Sequence, residues 1–403
     1  MTSSSAPLGY HRLARANPNY RWWKPLVVAA AGFALYFVIA LLILRVVGFV
    51  ASALLSDAEY IEYTRQLLSP NTVLTSPLAI AALLISVLLM TPALVIVRRA
   101  LGLGGLGHLS SVAGRIRWGW FGVALLPAVA YIGVQGVIGY GIAPFVDSEP
   151  LGAATVSAGT FALSLTVILL LVPLQASAEE YVFRGFVMQA VGGWLRWPAI
   201  ALVASTIPFV LGHIYNAWGL LEVLVFALVA AWVTLRTGGL EAAIGVHILT
   251  NVLAFSIPAL GFENVTESNG SPEGLLAAAI LLPLYAWGID VLFRRSGLSR
   301  TLPVVSPVQP VVDARTRDVP PPGTAPPAAS IPISSTTQPD STASTAQPVT
   351  GNTTQPDSTG STAQLVTGDT THPDSTGNTT QPVTGSNSPQ VDPTTPPAVG
   401  GTS

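Results

Sequence analysis

The sequence predicts an all-α polytopic membrane protein: a bundle of about eight transmembrane helices followed by a disordered C-terminal tail. Half of the 403 residues are hydrophobic and only 9% are charged, and the mean hydropathy is +0.57. Ordinary globular domains carry about 25% charged residues. The chain contains no cysteine, which excludes a disulfide framework, Cys-ligated zinc and a thiol protease.

Eight apolar runs are long enough to be membrane helices, since about 20 apolar residues cross a hydrocarbon core of about 30 Å. The predicted helices are Leu26–Leu44, Pro77–Val97, Gly119–Ile142, Ala158–Val191, Ala199–Tyr215, Leu220–Leu235, Leu240–Ile257 and Gly274–Phe293. The first run is too long and too far from the start for a cleavable signal peptide. We therefore expect it to remain as an anchor.

The basic residues predict the orientation of the helices, because cytoplasmic loops carry an excess of Arg and Lys. Basic residues precede the first helix, separate the second from the third, and follow the fourth, sixth and eighth. The intervening loops carry mainly Asp and Glu. We therefore expect both termini in the cytoplasm.

One charged motif lies inside the fourth predicted helix. Ionisable residues at membrane depth are costly and indicate function. Glu180 and Arg184 are spaced i, i+4 with the acid first, the better orientation for a helical ion pair. Glu179 has no such partner, and this unpaired carboxylate is the candidate general base that accepts a proton from water. We expect Glu180 and Arg184 to brace the helix as a structural ion pair.

Two further motifs follow on later helices. His213 comes four residues after Phe209, and His247 and Asn251 share one helix face. An imidazole and an amide on one face can donate to a developing oxyanion, or they can form ordinary hydrogen bonds between helices. At 1.5 Å per residue, Glu179 and His213 lie about 20 Å deep, and His247 and Asn251 about 12 to 18 Å. The three helices thus place their polar groups in one layer.

Together the motifs resemble those of the CPBP (CAAX protease and bacteriocin-processing, Abi) family of intramembrane proteases, which includes prenyl-protein endopeptidases. That family carries E-E-x-x-x-R, F-x-x-x-H and H-x-x-x-N on successive helices, in the order found here between about residues 163 and 257. The resemblance implies a helical bundle whose cavity opens to the cytoplasm. It further implies that Glu179 and His213 activate water, and that His247 and Asn251 stabilise the oxyanion.

The resemblance leaves the cofactor open. The family is usually described as metalloprotease, and Glu179, His213 and His247 could ligate zinc in an open three-ligand site. The sequence lacks the H-E-x-x-H spacing, and an acid and an imidazole can polarise water without a metal. We slightly favour a metal-independent site and keep zinc as the alternative cofactor.

The leading hypothesis is an intramembrane endopeptidase of the bacterial plasma membrane. Its expected partners are a membrane-associated peptide or protein substrate and the lipid bilayer, with no nucleic acid. A proton-coupled transporter could use the same ionisable groups, although the two halves show no inverted repeat. A non-catalytic membrane scaffold is the third hypothesis.

These features divide the chain into four parts. Residues 1–25 form a cytoplasmic N-terminal segment, 26–157 the first three helices, 158–295 the catalytic helices, and 296–403 the tail. The tail is rich in Pro, Thr and Ser and repeats a seventeen-residue unit at Thr336–Asn352, Thr353–Asp369 and Thr370–Ser386. So few apolar side chains cannot offset the chain entropy lost on folding, so we predict a disordered, solvated linker.

Overall fold

Apolar α-helices dominate the computed structural model, which describes residues 7–68, 74–142, 153–262 and 270–303. All of these residues belong to one compact unit. The tail was predicted to begin at residue 296; its part from residue 304 onwards, with the three repeats, lies outside the described residues.

The elements begin with a short strand and end with its partner. In chain order they are β1 (Leu8–Gly9), a 3-10 helix (Tyr10–Ala16), α1 (Lys24–Leu54), α2 (Asp57–Leu68), α3 (Pro77–Leu88), α4 (Met90–Ala100), α5 (Gly107–Ser110), α6 (Trp118–Gly136), a π-helix (Val137–Ile142), α7 (Ala158–Glu180), a second π-helix (Tyr181–Val187), α8 (Met188–Trp194), α9 (Pro198–Leu211), α10 (Ala217–Thr237), α11 (Glu241–Ser256), a 3-10 turn (Pro258–Leu260), α12 (Pro272–Arg295) and β2 (Thr301–Leu302).

Seven helices of the described chain are long and apolar enough to cross a membrane: α1, α3 with α4, α6, α7 continuing through α8, α10, α11 and α12. The prediction of an all-α polytopic membrane protein is therefore confirmed. The surface agrees with it, because α1 exposes large apolar side chains such as Phe33 (68%) and Phe49 (75%). Such side chains suit contact with lipid.

The fifth predicted helix is shorter than expected. It was predicted as Ala199–Tyr215, but α9 ends at Leu211 and spans only about 21 Å at 1.5 Å per residue. Pro208 lies in its last turn and Gly212 follows it. Proline removes a backbone donor and glycine weakens the helix. The helix therefore ends before the apolar run does.

The two flanks of the bundle meet in a small antiparallel sheet. Leu8 of β1 pairs with Leu302 of β2, and Gly9 pairs with Thr301. The chain therefore enters and leaves the bundle on the same side, which requires an even number of crossings. Seven long spans plus the shorter α9 satisfy this requirement.

We predict that this shared side is the cytoplasmic side, because the basic residues flank it. Alkaline phosphatase, which is active only outside the cytoplasm, should be inactive when fused after Pro303. The same reporter fused after Leu55, beyond α1, should be active. High activity after Pro303 together with low activity after Leu55 would reverse the orientation.

The N-terminal segment packs against the end of the fourth span, which its position in the sequence did not indicate. Arg15 Nε donates to the Gly193 carbonyl at 2.7 Å, and Trp194 Nε1 donates to the Trp22 carbonyl at 2.7 Å. A Cβ on Gly192 would lie 2.0 Å from the His11 carbonyl oxygen, so only glycine permits this approach. Burial lowers the pKa of the His11 imidazole. The segment thus fixes the helix that carries the first motif.

A buried ion pair fixes the start of α11, the helix that carries the third motif. Arg117 Nη2 lies 2.7 Å from Glu241 Oε2, and Arg117 Nε donates to Oε1 at 2.8 Å. Arg117 Nη1 also donates to the Thr237 carbonyl at the end of α10. Bidentate pairs of this kind hold geometry as well as charge, and they join the starts of α6 and α11.

Helix α2 was not predicted. It follows Ser56, whose backbone N–H donates to Glu59 Oε2 at 2.9 Å, and its acids lie on a short amphipathic helix outside the apolar runs. The sequence Ser56-Asp-Ala-Glu59 has the spacing of a capping box. That spacing was the signal that could have identified the helix.

Candidate active site

The first motif lies where the fourth span changes its helical form. Glu179 and Glu180 are the last two residues of α7, and Arg184 lies in the π-helix Tyr181–Val187. Single π-helical turns inside α-helices occur often at functional sites. The wider turn sets the direction in which the span continues into α8.

Glu180 and Arg184 form a fully buried ion pair. Arg184 Nη1 lies 2.9 Å from Glu180 Oε1, and neither side chain is exposed. The guanidinium carbon lies 3.9 Å from the centroid of the Phe209 ring, a cation–π contact between the first and second motifs. Phe209 therefore packs on the arginine, a role that its place in the second motif did not reveal.

His247 lies between the two glutamates. Its Nδ1 is 2.8 Å from Glu180 Oε1, and its Nε2 is 3.2 Å from Glu179 Oε2. Glu179 was expected to have no partner, and that expectation is wrong. That expectation considered only residues on the helix of Glu179. Helix α11 packs against α7, and its residue His247 is the partner.

The hydrogen bonds of this cluster set its proton count. A neutral imidazole has one N–H donor, yet both nitrogens of His247 face a carboxylate oxygen. Both contacts are hydrogen bonds only if the ring is an imidazolium or one carboxyl group is protonated. With an imidazolium, the two glutamates balance His247 and Arg184, and the cluster has no net charge. Such balance suits a buried group of charges.

A chain of two amides extends from Glu179. Gln175 Nε2 donates to Glu179 Oε2 at 2.8 Å, and Asn251 Nδ2 donates to Gln175 Oε1 at 3.0 Å. Sequence reasoning missed Gln175. Its signal was its place four residues before Glu179, on the same face of α7. Through Gln175, the third motif also orients the carboxylate of Glu179.

His213 lies outside a helix, contrary to prediction. It follows the end of α9 by two residues, where Gly212 and Pro208 end the helix. Its Nδ1 lies 2.8 Å from the Phe209 carbonyl oxygen. Because a carbonyl accepts only, Nδ1 carries the hydrogen, and a neutral ring keeps its lone pair at Nε2. The ring is half-buried, and its centroid lies 4.8 Å from that of the Phe209 ring.

The side chains of the cluster differ in how much of their surface is exposed. The Glu179 side chain is 13% exposed, whereas His247 is 3% exposed and Glu180 is fully buried. Of the cluster's two carboxylates, Glu179 is the one with surface that protein does not cover. Glu180 instead faces only protein groups.

The three candidate zinc ligands do not form a metal site in this arrangement. Within the described ranges, no group of three or more His, Asp or Glu side chains is placed to hold a metal ion. Glu179 and His247 contact each other directly, and His213 does not complete a three-ligand set. An open zinc site needs three protein ligands, so we derive no step through a metal.

Residues 159–253 match the Rce1-like family. That family is described as type II CAAX prenyl endopeptidase Rce1-like, and the matched segment contains all three motifs from Glu179 to Asn251. The resemblance expected from the motif letters is thereby confirmed for this segment.

One relative covers part of the same chain. YyaK, an uncharacterized protein of Bacillus subtilis (strain 168), is 34% identical over 103 residues, which are 24% of this chain and 34% of YyaK. The alignment thus spans about a third of the relative's length. No solved structure gives a significant match.

Proposed function

We propose that this integral membrane protein is an intramembrane endopeptidase that hydrolyses a peptide bond of a membrane-associated protein or peptide. One observation carries the proposal: Glu179 is a partly exposed carboxylate held by Gln175 and His247, within a segment that matches the Rce1-like family. A positioned carboxylate beside histidine is the arrangement that general-base hydrolysis requires.

In the proposed reaction, Glu179 accepts a proton from water, and the hydroxide attacks the carbonyl carbon of the scissile bond. The His213 Nε2 lone pair helps to orient that water. The proton on Glu179 then passes to the leaving nitrogen as the C–N bond breaks. Water is consumed, and a carboxylate and an amine are produced.

The contact between Glu179 and His247 couples proton transfer to oxyanion stabilisation. While Glu179 is charged, it holds the Nε2–H of His247. Once Glu179 takes the proton from water, that attraction falls, and the Nε2–H can turn toward the new oxyanion. The second N–H of the Asn251 amide is the other donor, since only one is given to Gln175.

Glu180 and Arg184 act through His247 rather than on the substrate. Glu180 accepts from His247 Nδ1 at 2.8 Å and from Arg184 at 2.9 Å. A carboxylate on one ring nitrogen fixes the orientation of the other. We therefore assign both as positioning residues.

We further propose the bacterial plasma membrane as the location, with the site reached from the cytoplasm. The substrate would be held at or in the lipid bilayer, because the carboxylates lie on membrane-spanning helices.

The test is cleavage of a peptide library by the purified protein in detergent. The library should contain matched peptides with and without a C-terminal prenyl group, with products identified by mass spectrometry. Cleavage by the wild type that is absent from Glu179→Ala and unchanged by a chelator supports the proposal. Equal cleavage by the variant would refute it, and loss with chelator would instead require a metal.

We predict that the tail is dispensable for peptide cleavage. A chain ending after Pro303 keeps β2, which pairs with β1, and keeps every residue of the proposed site. Its cleavage rate on a short peptide should equal that of the full chain within about twofold, since no group needed for general-base catalysis is removed. A well-folded truncated protein without activity would place part of the site in the tail.

A further inference from the structure

A cavity lies apart from the motif residues, on the side of the bundle where the chain enters and leaves. Its volume is about 200 Å³, far more than the ~10–15 Å³ that a single water molecule needs. The N-terminal segment, the end of α4, the loop before α5 and helix α8 enclose it. Its polar lining includes Asn17, Tyr20, Arg98 and Gln189.

Two polar side-chain atoms at this cavity have no hydrogen-bond partner. Arg98 Nε and the Tyr20 hydroxyl are buried without a hydrogen bond, and Arg98 gives only one hydrogen bond, to the Leu103 carbonyl at 3.1 Å. In the described ranges, Arg98 forms no ion pair, and the lining contains no carboxylate. Arg98 is half-buried, and a guanidinium held partly out of water without an acid costs free energy unless an anion joins it.

The backbone adds further donors. Gly104 and Gly105 line the cavity, and neither amide N–H reaches an acceptor among the described groups. Gly104 has a φ of 75°, a conformation that glycine adopts without strain. Successive backbone N–H groups without a partner beside a cavity are available as donors to an anion.

The cavity lies at the level of a membrane interface. Pro25, in the first turn of α1, and Arg98, in the last turn of α4, both line it. Beside them the exposed side chains of Trp22 and Trp23 precede Lys24. Tryptophan and lysine are enriched where a helix leaves the hydrocarbon core, and basic pockets between helices at this level bind lipid headgroups.

We propose that this cavity binds a phosphate-bearing anion through the Arg98 guanidinium and the Tyr20 hydroxyl. The phosphate is either that of an anionic phospholipid headgroup or free inorganic phosphate. Guanidinium groups match phosphate oxygens in charge and geometry. The bound anion would join the N-terminal segment to α4, and this inference does not depend on the proposed peptidase activity.

The test is the melting temperature of the full-length, delipidated protein in a neutral detergent. The probes are dioleoylphosphatidylglycerol, dioleoylphosphatidylcholine at the same mole fraction, and inorganic phosphate against chloride at equal ionic strength. We expect phosphatidylglycerol or phosphate to raise the melting temperature and phosphatidylcholine to have a smaller effect. A rise with phosphate alone identifies the free anion, and a rise with phosphatidylglycerol alone identifies the headgroup.

Two variants localise the effect. Arg98→Gln should raise the half-saturating probe concentration about tenfold or more, the size expected for a lost charge-assisted hydrogen bond. Arg295→Gln changes the same charge on an exposed residue in the last turn of α12, outside the cavity lining, and should bind the probe like the wild type. If Arg98→Gln does not fold, Tyr20→Phe should weaken binding with the fold retained. No shift in the wild type, or equal shifts in all proteins, would overturn the proposal.

Discussion

Glu179→Gln is expected to abolish peptide cleavage while leaving the helix bundle folded. The amide has the volume of the carboxylate and can still contact Gln175 and His247, the two partners of Glu179. It cannot accept a proton from water, and a general base contributes about 10²- to 10⁴-fold to the rate. The loss should appear in kcat, since a base acts on the reaction rather than on substrate binding.

The matched control is Glu222→Gln. Glu222 lies on the membrane-spanning helix α10 and accepts a hydrogen bond from the Ser271 N–H at 3.1 Å. Unlike Glu179, it lies outside the proposed site. Its variant should cleave peptide at nearly the wild-type rate. Melting temperatures of both variants separate folding from catalysis. A folded Glu179→Gln protein with wild-type kcat would remove Glu179 from the mechanism.

The crossing helices could be predicted from the sequence because lipid imposes a simple rule. A helix that crosses the membrane must be apolar over about 20 residues, and each of the predicted apolar runs overlaps a helix of the structure. The end of α9 could not be predicted in this way. It depends on Pro208 and Gly212 within an unbroken apolar run, where hydropathy is the same inside and outside the helix.

The residues of the candidate site could also be predicted from the sequence motifs, but the contacts between them could not. Spacing along one helix predicts pairs such as Glu180 and Arg184. It does not predict that His247 contacts both glutamates, because that depends on how α11 packs against α7. The i, i+4 spacing could have indicated the contact of Gln175 with Glu179, but its contact with Asn251 depends on the same packing between helices.

The N-terminal segment shows the same limit. Its basic residues indicated an orientation, and nothing in their pattern indicated a docking surface. The docking depends on Gly192, where a Cβ would lie 2.0 Å from the His11 carbonyl oxygen. A glycine in a helix can have several structural roles. Its role in close packing can be assigned only when the position of the neighbouring backbone is known.

Arg184→Ala is expected to destabilise the protein by about 3–5 kcal/mol, because removal of one partner leaves the other charge buried and unpaired. Glu180 would then retain only His247 Nδ1 at 2.8 Å. The variant also loses the cation–π contact with Phe209 at 3.9 Å. Denaturant unfolding in mixed micelles measures the change in the free energy of unfolding.

Two comparisons make the Arg184 result specific. Arg65→Ala breaks an exposed i, i+3 pair with Glu62, whose side chains are 54% and 45% exposed, and should cost only about 0–1 kcal/mol. The double variant Glu180→Gln with Arg184→Met removes both charges and should be more stable than Arg184→Ala, because no unpaired charge stays buried. It should remain impaired in cleavage, since His247 loses the carboxylate that orients it. If Arg184→Ala were as mild as Arg65→Ala, the buried pair would contribute little to folding, and Glu180 would have another means of balancing its charge.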